Sequence, residues 1–154
     1  MVKSILFVCM GNICRSPALQ STLEQLAKKK GIELHVESCG IGRVSIGQGA
    51  DPRSVYAASQ VGIEIKNKAQ SFQSHFFTVF DAIFAVDGEI LQALRELGGP
   101  DRASKIHLAT KWSRQYKDQP IGEPYYLGED GFTLVMDQVV DSCKGIIDHL
   151  NEIT

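Results

Sequence analysis

Long apolar runs are absent from this sequence of 154 residues. A helix that crosses a bilayer needs about 20 consecutive apolar residues, and no stretch approaches that length. The first apolar run, Ile5 to Val8, has only the length of a strand and is too short for the apolar region of a secretory signal. We therefore expect a cytoplasmic protein that does not enter membranes.

The sequence also lacks an excess of charge of either sign. Lys and Arg number 16 against 18 Asp and Glu, so the formal net charge is −2. A field this weak offers little attraction to nucleic acid or to an anionic lipid surface, and neither is expected as a partner. The apolar content of 44 % is ordinary for a globular protein, and the length suits one compact domain, which we place at residues 1–154.

Cysteine is scarce and dispersed. The four cysteines, Cys9, Cys14, Cys39 and Cys143, form no Cys-x-x-Cys pair and have no histidine cluster near them, so no metal site is expected. In a reducing compartment all four would be free thiols. Cys39 and Cys143 are predicted to lie in the core, and no cofactor is expected.

The most informative stretch lies near the start of the chain. An apolar strand over 4–8 runs into a short loop, and a helix is predicted to begin near Ser16 and Pro17, because proline at the first helical position costs no hydrogen bond. Gly11 and Asn12 tolerate the positive φ that a tight curl of this loop requires. The curl would point backbone amides and the helix dipole at a bound oxyanion, such as phosphate. The amides belong to Met10, Gly11, Asn12, Ile13, Cys14 and Arg15.

Cys9 stands where the strand ends, below this ring of amides. A helix N-terminus and a nearby cation both favour the thiolate form of a cysteine. Arg15 follows six residues later, and its planar guanidinium can bind two phosphate oxygens at once, which lysine cannot. Ser16 can donate its hydroxyl to the thiolate. These residues predict a nucleophilic cysteine that attacks phosphorus; the alternative is a buried structural cysteine in an ordinary α/β domain.

The rest of the chain alternates strands and helices, which predicts an α/β fold with a parallel sheet. The first helix is predicted to end near Lys30, and Asp51 and Pro52 mark the next helix as N-cap and first-turn proline. Asp87 is predicted to cap a later helix and to support the loop after Cys9. Strands are predicted over 4–8, 32–38, 80–87 and 105–108, and further helices over 72–79, 88–97 and 131–153.

A second motif, Glu123-Pro124-Tyr125-Tyr126, follows a long irregular stretch. Release of an alcohol from a phosphate ester needs a proton, and a loop carboxylic acid commonly supplies it. Pro124 restricts the backbone of the preceding residue, so the carboxyl group of Glu123 is held in one direction. We therefore predict Glu123 as the general acid, with reserves in Asp118, Glu129 and Asp130. The alternative is a polar turn followed by two core tyrosines.

The segments 8–17 and 123–126 together resemble the signatures of the low-molecular-weight protein tyrosine phosphatases, and the likeness extends over nearly the whole chain. It implies a doubly wound four-stranded parallel sheet of order 2-1-3-4 with helices on both faces. It also implies hydrolysis of phosphotyrosine through a phosphocysteine on Cys9, with Glu123 first as acid and then as base. The substrate would be a tyrosine-phosphorylated protein or a small aryl phosphate, and we expect a monomer or weak dimer.

The resemblance assigns further roles and shows departures. Tyr125 and Tyr126 would line the substrate cleft, and Cys14 would form a reversible disulfide that protects Cys9, although Cys14 is equally explained as a small apolar side chain packed behind the loop. The family commonly has a tryptophan or tyrosine as cleft wall, and here that position is Val44. The acid is Glu123 instead of aspartate, and the segment 66–70 stands where the family often has a histidine and arginine pair that supports the loop. Within this segment, Asn67 is expected to hydrogen-bond loop carbonyls or Asn12 instead.

Two other functions stay open at this point. An arsenate reductase uses a similar loop but needs additional redox cysteines, and none lies between Cys39 and Cys143. A module that binds phosphate or phosphotyrosine without turnover would fit the altered acid and the missing aromatic wall.

Overall fold

A computed structural model describes residues 1–126 and 130–153 of the chain, except the side chain of Tyr126. Its strands are β1 (Ser4–Cys9), β2 (His35–Gly40), β3 (Ala82–Ala85) and β4 (Ile106–Leu108). They form one parallel sheet in the order β2-β1-β3-β4, so the predicted sheet is confirmed. The register places Cys9 opposite Gly40 of β2 and Val8 opposite Ala85 of β3.

Within the described residues, five α-helices lie between and after the strands: α1 (Arg15–Lys29), α2 (Pro52–Gln60), α3 (Phe76–Val79), α4 (Gly88–Gly98) and α5 (Gly131–Asp148). Short 3-10 helices cover Pro100–Lys105 and Pro124–Tyr126. The side chain of Asp51 accepts a hydrogen bond from the Arg53 amide at the start of α2, which confirms the predicted cap. None of these described helices is both long and apolar enough to cross a bilayer.

Several element boundaries differ from the prediction; β3, for example, covers only Ala82–Ala85 of the predicted 80–87. β2 begins at His35 instead of residue 32, since the Ile32 amide still bonds to the Ala27 carbonyl of α1. Only the end of the predicted helix over 72–79 is helical. At its start, the Phe72 amide donates to the carbonyl of Gly40, the last residue of β2, so this part of the chain lies along the edge of the sheet. α5 ends at Asp148, and the chain turns at His149.

The core lies on both faces of the two central strands. Every residue of β3 and most of β1 is fully buried, and the rings of Phe7 and Phe84 lie 5.6 Å apart on neighbouring strands. α1 packs against α5, whereas α4 packs against β3 and β4. Right-handed connections that leave the sheet centre in opposite directions place α1 and α4 on opposite faces.

The same topology creates a crevice at the carboxyl end of the sheet. β1 continues into α1 on one side, and β3 continues into α4 on the other, so the chain diverges between these neighbouring strands. α/β proteins bind ligands at such a point. Cys9 ends β1 and Asp87 follows β3, so both lie at this edge.

We predict that Gly40→Ala destabilises the protein at this edge. A Cβ on Gly40 would lie 2.7 Å from the Met10 carbonyl oxygen and 2.6 Å from Cγ2 of Val44, so the loop after Cys9 would have to shift. Overpacking of this kind lowers the free energy of unfolding by about 1–3 kcal/mol. Chemical denaturation measures the effect, and the affinity for inorganic phosphate should fall with it.

Gly49→Ala is the matched control in the same connection between β2 and α2. A Cβ there meets only the flexible end of Lys68, 3.9 Å away, so stability and phosphate affinity should stay within experimental error. If the two variants were equally stable, the close packing of the Met10 carbonyl and Val44 against Gly40 would be contradicted.

Candidate active site

Cys9 is buried at the carboxyl end of β1, with 2 % of its surface exposed. The Asn12 amide donates to its Sγ over 3.2 Å, and the Ser16 hydroxyl lies 2.8 Å from the same atom. Ser16 Oγ also accepts a hydrogen bond from Asn12 Nδ2, and its own proton has two acceptors, the Cys9 sulfur and the more distant Cys39 carbonyl at 3.4 Å. Two polar groups of the loop and of α1 therefore converge on this sulfur.

Asn12 shapes the loop that follows Cys9. It has a φ of 59°, the left-handed region that the sequence predicts for the curl, whereas Gly11 keeps a negative φ. Its Nδ2 donates to Ser16 over 2.8 Å and to Ser38 over 2.9 Å, and its Oδ1 accepts from the Gln70 amide over 3.0 Å. Because all these partners are internal, the Asn12 side chain holds the strained loop conformation in place.

A polar network behind Asn12 supports it. Asn67 donates to Ser38 Oγ over 3.3 Å, so it reaches Asn12 through Ser38 and not directly. Ser38 in turn donates to Gln20 of α1 over 2.6 Å, and the Gln70 side chain donates to the Ser38 carbonyl over 3.0 Å. Gln70 was missed by sequence reasoning, since its role depends on the pairing of residue 71 with Gly40 at the sheet edge.

Arg15 is the first residue of α1 and is 5 % exposed. Its Nη1 donates to Asp87 over 2.8 Å and to the Ile121 carbonyl over 3.1 Å. Its Nη2 donates to Glu123 over 3.0 Å. Asp87 also accepts the Ile90 amide at the start of α4, so the side chain that orients Arg15 is itself fixed as an N-cap.

One pocket of about 190 Å³ is lined by residues of both sequence motifs. Glu123 reaches it from a segment more than 100 residues away from the loop, and its side chain is 31 % exposed. Two residues beyond, the Tyr125 side chain forms part of the wall. The lining is Cys9, Met10, Gly11, Ile13, Cys14, Arg15, Glu123 and Tyr125.

Cys14 and Tyr125 meet at the side of this pocket. The Cys14 Sγ lies 3.0 Å from the Tyr125 hydroxyl, which donates to Asp51 over 3.1 Å. Since the hydroxyl proton goes to Asp51, the thiol is the donor to the tyrosine oxygen. Burial raises the pKa of Cys14 to about 12, so this thiol stays protonated at neutral pH.

Other predicted site residues either do not line this pocket or lie outside the described residues. Val44 is half-buried against Gly40 and is not part of the pocket lining. The side chain of Tyr126 and the whole of Glu129 lie outside the described residues. Asp118 lies in a turn, where its amide donates to the Thr110 carbonyl, and it does not line the pocket. Asp130 is an exposed residue at the start of α5.

The remaining cysteines are core residues. Cys39 and Cys143 have no exposed surface, and burial raises the pKa of both thiols well above the usual range. Neither is suited to relay a disulfide, since the thiolate is the form that exchanges. Across residues 1–126 and 130–153, His, Cys, Asp and Glu form no group of three that could hold a metal ion.

Comparisons with known proteins agree with this geometry. A model of the family described as low molecular weight phosphotyrosine protein phosphatase matches residues 4–153. A protein of that name from Schizosaccharomyces pombe is 33 % identical over 146 residues, which is 93 % of this chain and 94 % of the relative. The human protein of that name is 30 % identical over 150 residues, covering 95 % and 94 % of the two chains.

A solved structure gives the same result in three dimensions. A protein tyrosine phosphatase from Entamoeba histolytica, with Hepes in its active site, superposes with a TM-score of 0.91 at 30 % identity and covers 97 % of each chain. The family match spans the strand, the loop and the acid segment that meet in the pocket. The chain therefore belongs to the low molecular weight phosphotyrosine protein phosphatase family.

Proposed function

We propose that this protein hydrolyses phosphotyrosine through a phosphocysteine on Cys9, with Glu123 as general acid and then general base. One observation carries the proposal: the Cys9 sulfur, the Arg15 guanidinium and the Glu123 carboxylate line a single pocket of about 190 Å³. These are the nucleophile, the charge-stabilising group and the proton donor that the reaction requires.

Phosphate binds where the loop amides and Arg15 converge. Asp87 and the Ile121 carbonyl hold Nη1, so Arg15 keeps its orientation when the substrate arrives. Nη2 exchanges its bond to Glu123 for a bond to a phosphate oxygen. The exchange turns the Glu123 carboxyl group toward the leaving oxygen, at the mouth of the pocket.

The first chemical step transfers the phosphoryl group to sulfur. The Cys9 thiolate attacks phosphorus in line with the leaving oxygen, an S–P bond forms, and the P–O bond to the alcohol breaks. Glu123, which takes up a proton from solvent once phosphate has displaced it from Arg15, gives that proton to the leaving oxygen. The equatorial phosphate oxygens keep their hydrogen bonds to Arg15 and the loop amides through the transition state.

The second step releases phosphate. The Glu123 carboxylate takes a proton from water, whose oxygen attacks phosphorus, and the S–P bond breaks to restore the thiolate. Ser16 lies 2.8 Å from Cys9 Sγ and stabilises this leaving thiolate. The thiolate is thus restored, and the proton on Glu123 returns to solvent when its carboxylate pairs with Arg15 again.

An aryl phosphate fits the walls of this pocket. Met10, Ile13 and Tyr125 contribute apolar surface to the same lining as the charged groups. Met10 and Tyr125 are 45 % and 42 % exposed, so they form the rim that a substrate side chain passes. The names of the relatives give phosphotyrosine protein as their substrate, and we extend that substrate class to this chain.

Cys9→Ser should lower kcat on p-nitrophenyl phosphate by at least about 1,000-fold, because the nucleophile is removed. The cradle of amides and Arg15 stays intact. Inorganic phosphate should therefore still raise the melting temperature of the variant, as ligand binding to the folded state requires. Turnover that persists in Cys9→Ser would contradict the phosphocysteine route.

This experiment also distinguishes an enzyme from a phosphate-binding module. A module would show phosphate-dependent stabilisation in both the parent protein and Cys9→Ser, with no Cys9-dependent turnover in either.

Glu123→Ala should separate substrates by their leaving groups. Phenyl phosphate needs a proton at its leaving oxygen, and its kcat/KM, which reports the transfer of the phosphoryl group to Cys9, should fall by about 100-fold or more, whereas the kcat/KM of p-nitrophenyl phosphate should fall much less. Glu123→Asp keeps the acid and shortens the side chain. The preference for good leaving groups that Glu123→Ala shows should therefore largely disappear in Glu123→Asp. Steady-state kinetics measures the ratio of kcat/KM for p-nitrophenyl phosphate to kcat/KM for phenyl phosphate. If that ratio were the same in Glu123→Ala and the parent, the acid assignment would be wrong.

A further inference from the structure

A cluster of four side chains lies beside the pocket but outside the reaction described above: Asp51, Arg53, Tyr125 and Phe132, here called the Arg53 cluster. Arg53 Nε and Nη2 donate to the two carboxylate oxygens of Asp51 over 3.1 and 2.9 Å. The guanidinium carbon lies 4.9 Å from the centre of the Tyr125 ring and 4.9 Å from that of Phe132. One side chain therefore binds a carboxylate and two aromatic rings together.

The Arg53 cluster is attached to the phosphate loop. The Asp51 amide donates to the Ile13 carbonyl over 2.8 Å, and Ser54 of α2 donates to the Cys14 carbonyl over 3.5 Å. The start of α2 thus moves together with the loop that surrounds Cys9.

The cluster is also attached to the segment that carries the acid. Tyr125 lies two residues after Glu123, and its hydroxyl donates to Asp51 over 3.1 Å. Its ring contacts Arg53 on one side and meets Phe132 of α5 edge-on, with 5.8 Å between centres. With Pro124 between them, the backbone has little freedom to move Glu123 while Tyr125 is held.

Arg53 itself does not reach the pocket. Its side chain is 62 % exposed, and the pocket lining does not include it. It contacts neither Cys9 nor Glu123 through any hydrogen bond between the described residues. Any influence on the reaction therefore passes through Asp51 and Tyr125.

We propose that Arg53 is a positioning residue that holds Glu123 over the pocket by fixing Tyr125 between the start of α2 and the start of α5. The inference rests on the proposed function, because it needs Glu123 to be the general acid. It adds a residue outside the pocket that determines how well the acid is aimed.

The geometry explains why this residue is an arginine. A guanidinium is planar, so its edge can donate two parallel bonds to a carboxylate while its faces contact rings. The hydrogen bonds from Arg53 lower the pKa of Asp51 despite its partial burial, so Asp51 stays a carboxylate and accepts the Tyr125 hydroxyl. A lysine ammonium has a single donor centre and cannot make both kinds of contact in this arrangement.

The test compares Arg53→Gln and Arg53→Lys with Arg102→Gln. Arg102 is a matched control, since its guanidinium lies 5.1 Å from the centre of the Phe77 ring, an aromatic residue that does not line the pocket. Arg53→Gln should lower kcat/KM for phenyl phosphate by about 10-fold, the effect of a misplaced acid, and change kcat/KM for p-nitrophenyl phosphate by less than about 2-fold. Arg53→Lys should give a smaller loss of the same kind.

Two further measurements exclude a purely structural effect. The inhibition constant of inorganic phosphate should be unchanged in Arg53→Gln, because Arg15 and the loop amides still bind it. In a Glu123→Ala background Arg53→Gln should add no further loss on phenyl phosphate, since the group through which it acts is gone.

The outcomes distinguish the inference from the function on which it rests. If Glu123→Ala shows no leaving-group dependence, the acid assignment fails and the positioning role fails with it. If Glu123→Ala shows the dependence while Arg53→Gln behaves like Arg102→Gln, or slows both esters equally, only the positioning role is overturned. Full additivity of Arg53→Gln and Glu123→Ala would overturn it as well.

Discussion

A buried guanidinium in the same pocket as the Cys9 sulfur is the constraint on which the rest of this structure depends. Arg15 is 5 % exposed, and a charge in that position is costly unless it is paired and hydrogen-bonded. Asp87 and Glu123 supply the opposite charges, at 2.8 and 3.0 Å. Neither lies near Arg15 in sequence. The parallel sheet brings them together, because β3 lies next to β1 and its carboxyl end carries Asp87 to the start of α1.

The two carboxylates have different freedom, and the difference suits the proposed chemistry. One oxygen of Asp87 binds Arg15 while the other accepts the Ile90 amide, so two hydrogen bonds fix the position of the Asp87 carboxylate. Glu123 is held to Arg15 by a single hydrogen bond and is partly exposed. Its side chain is one methylene longer than the aspartate of the family motif, which adds about 1.5 Å of reach. In our proposal the acid therefore competes with substrate for Nη2 until phosphate displaces it.

Local signals in the sequence predicted much of the site, and the missing parts have a common cause. Asn12 and Pro17 indicated the curled loop and the helix start because these residue types have backbone preferences of their own. The prediction for Asp51 as N-cap was correct for the same reason. Gln70 and Ile121 were missed, since each contributes through a backbone group whose position depends on strand pairing. No residue type marks such a role.

The sequence by itself determined the order of elements, the chemistry of the loop from Cys9 to Ser16 and the presence of an acid before Pro124, because propensity, capping and side-chain chemistry are local properties. Only the tertiary structure decided that Glu123 reaches Arg15, that Asn67 supports Asn12 through Ser38, and that Val44 packs on Gly40 away from the pocket. These outcomes depend on distances between segments far apart in the chain. Such distances are set by the packing of the whole sheet and its helices.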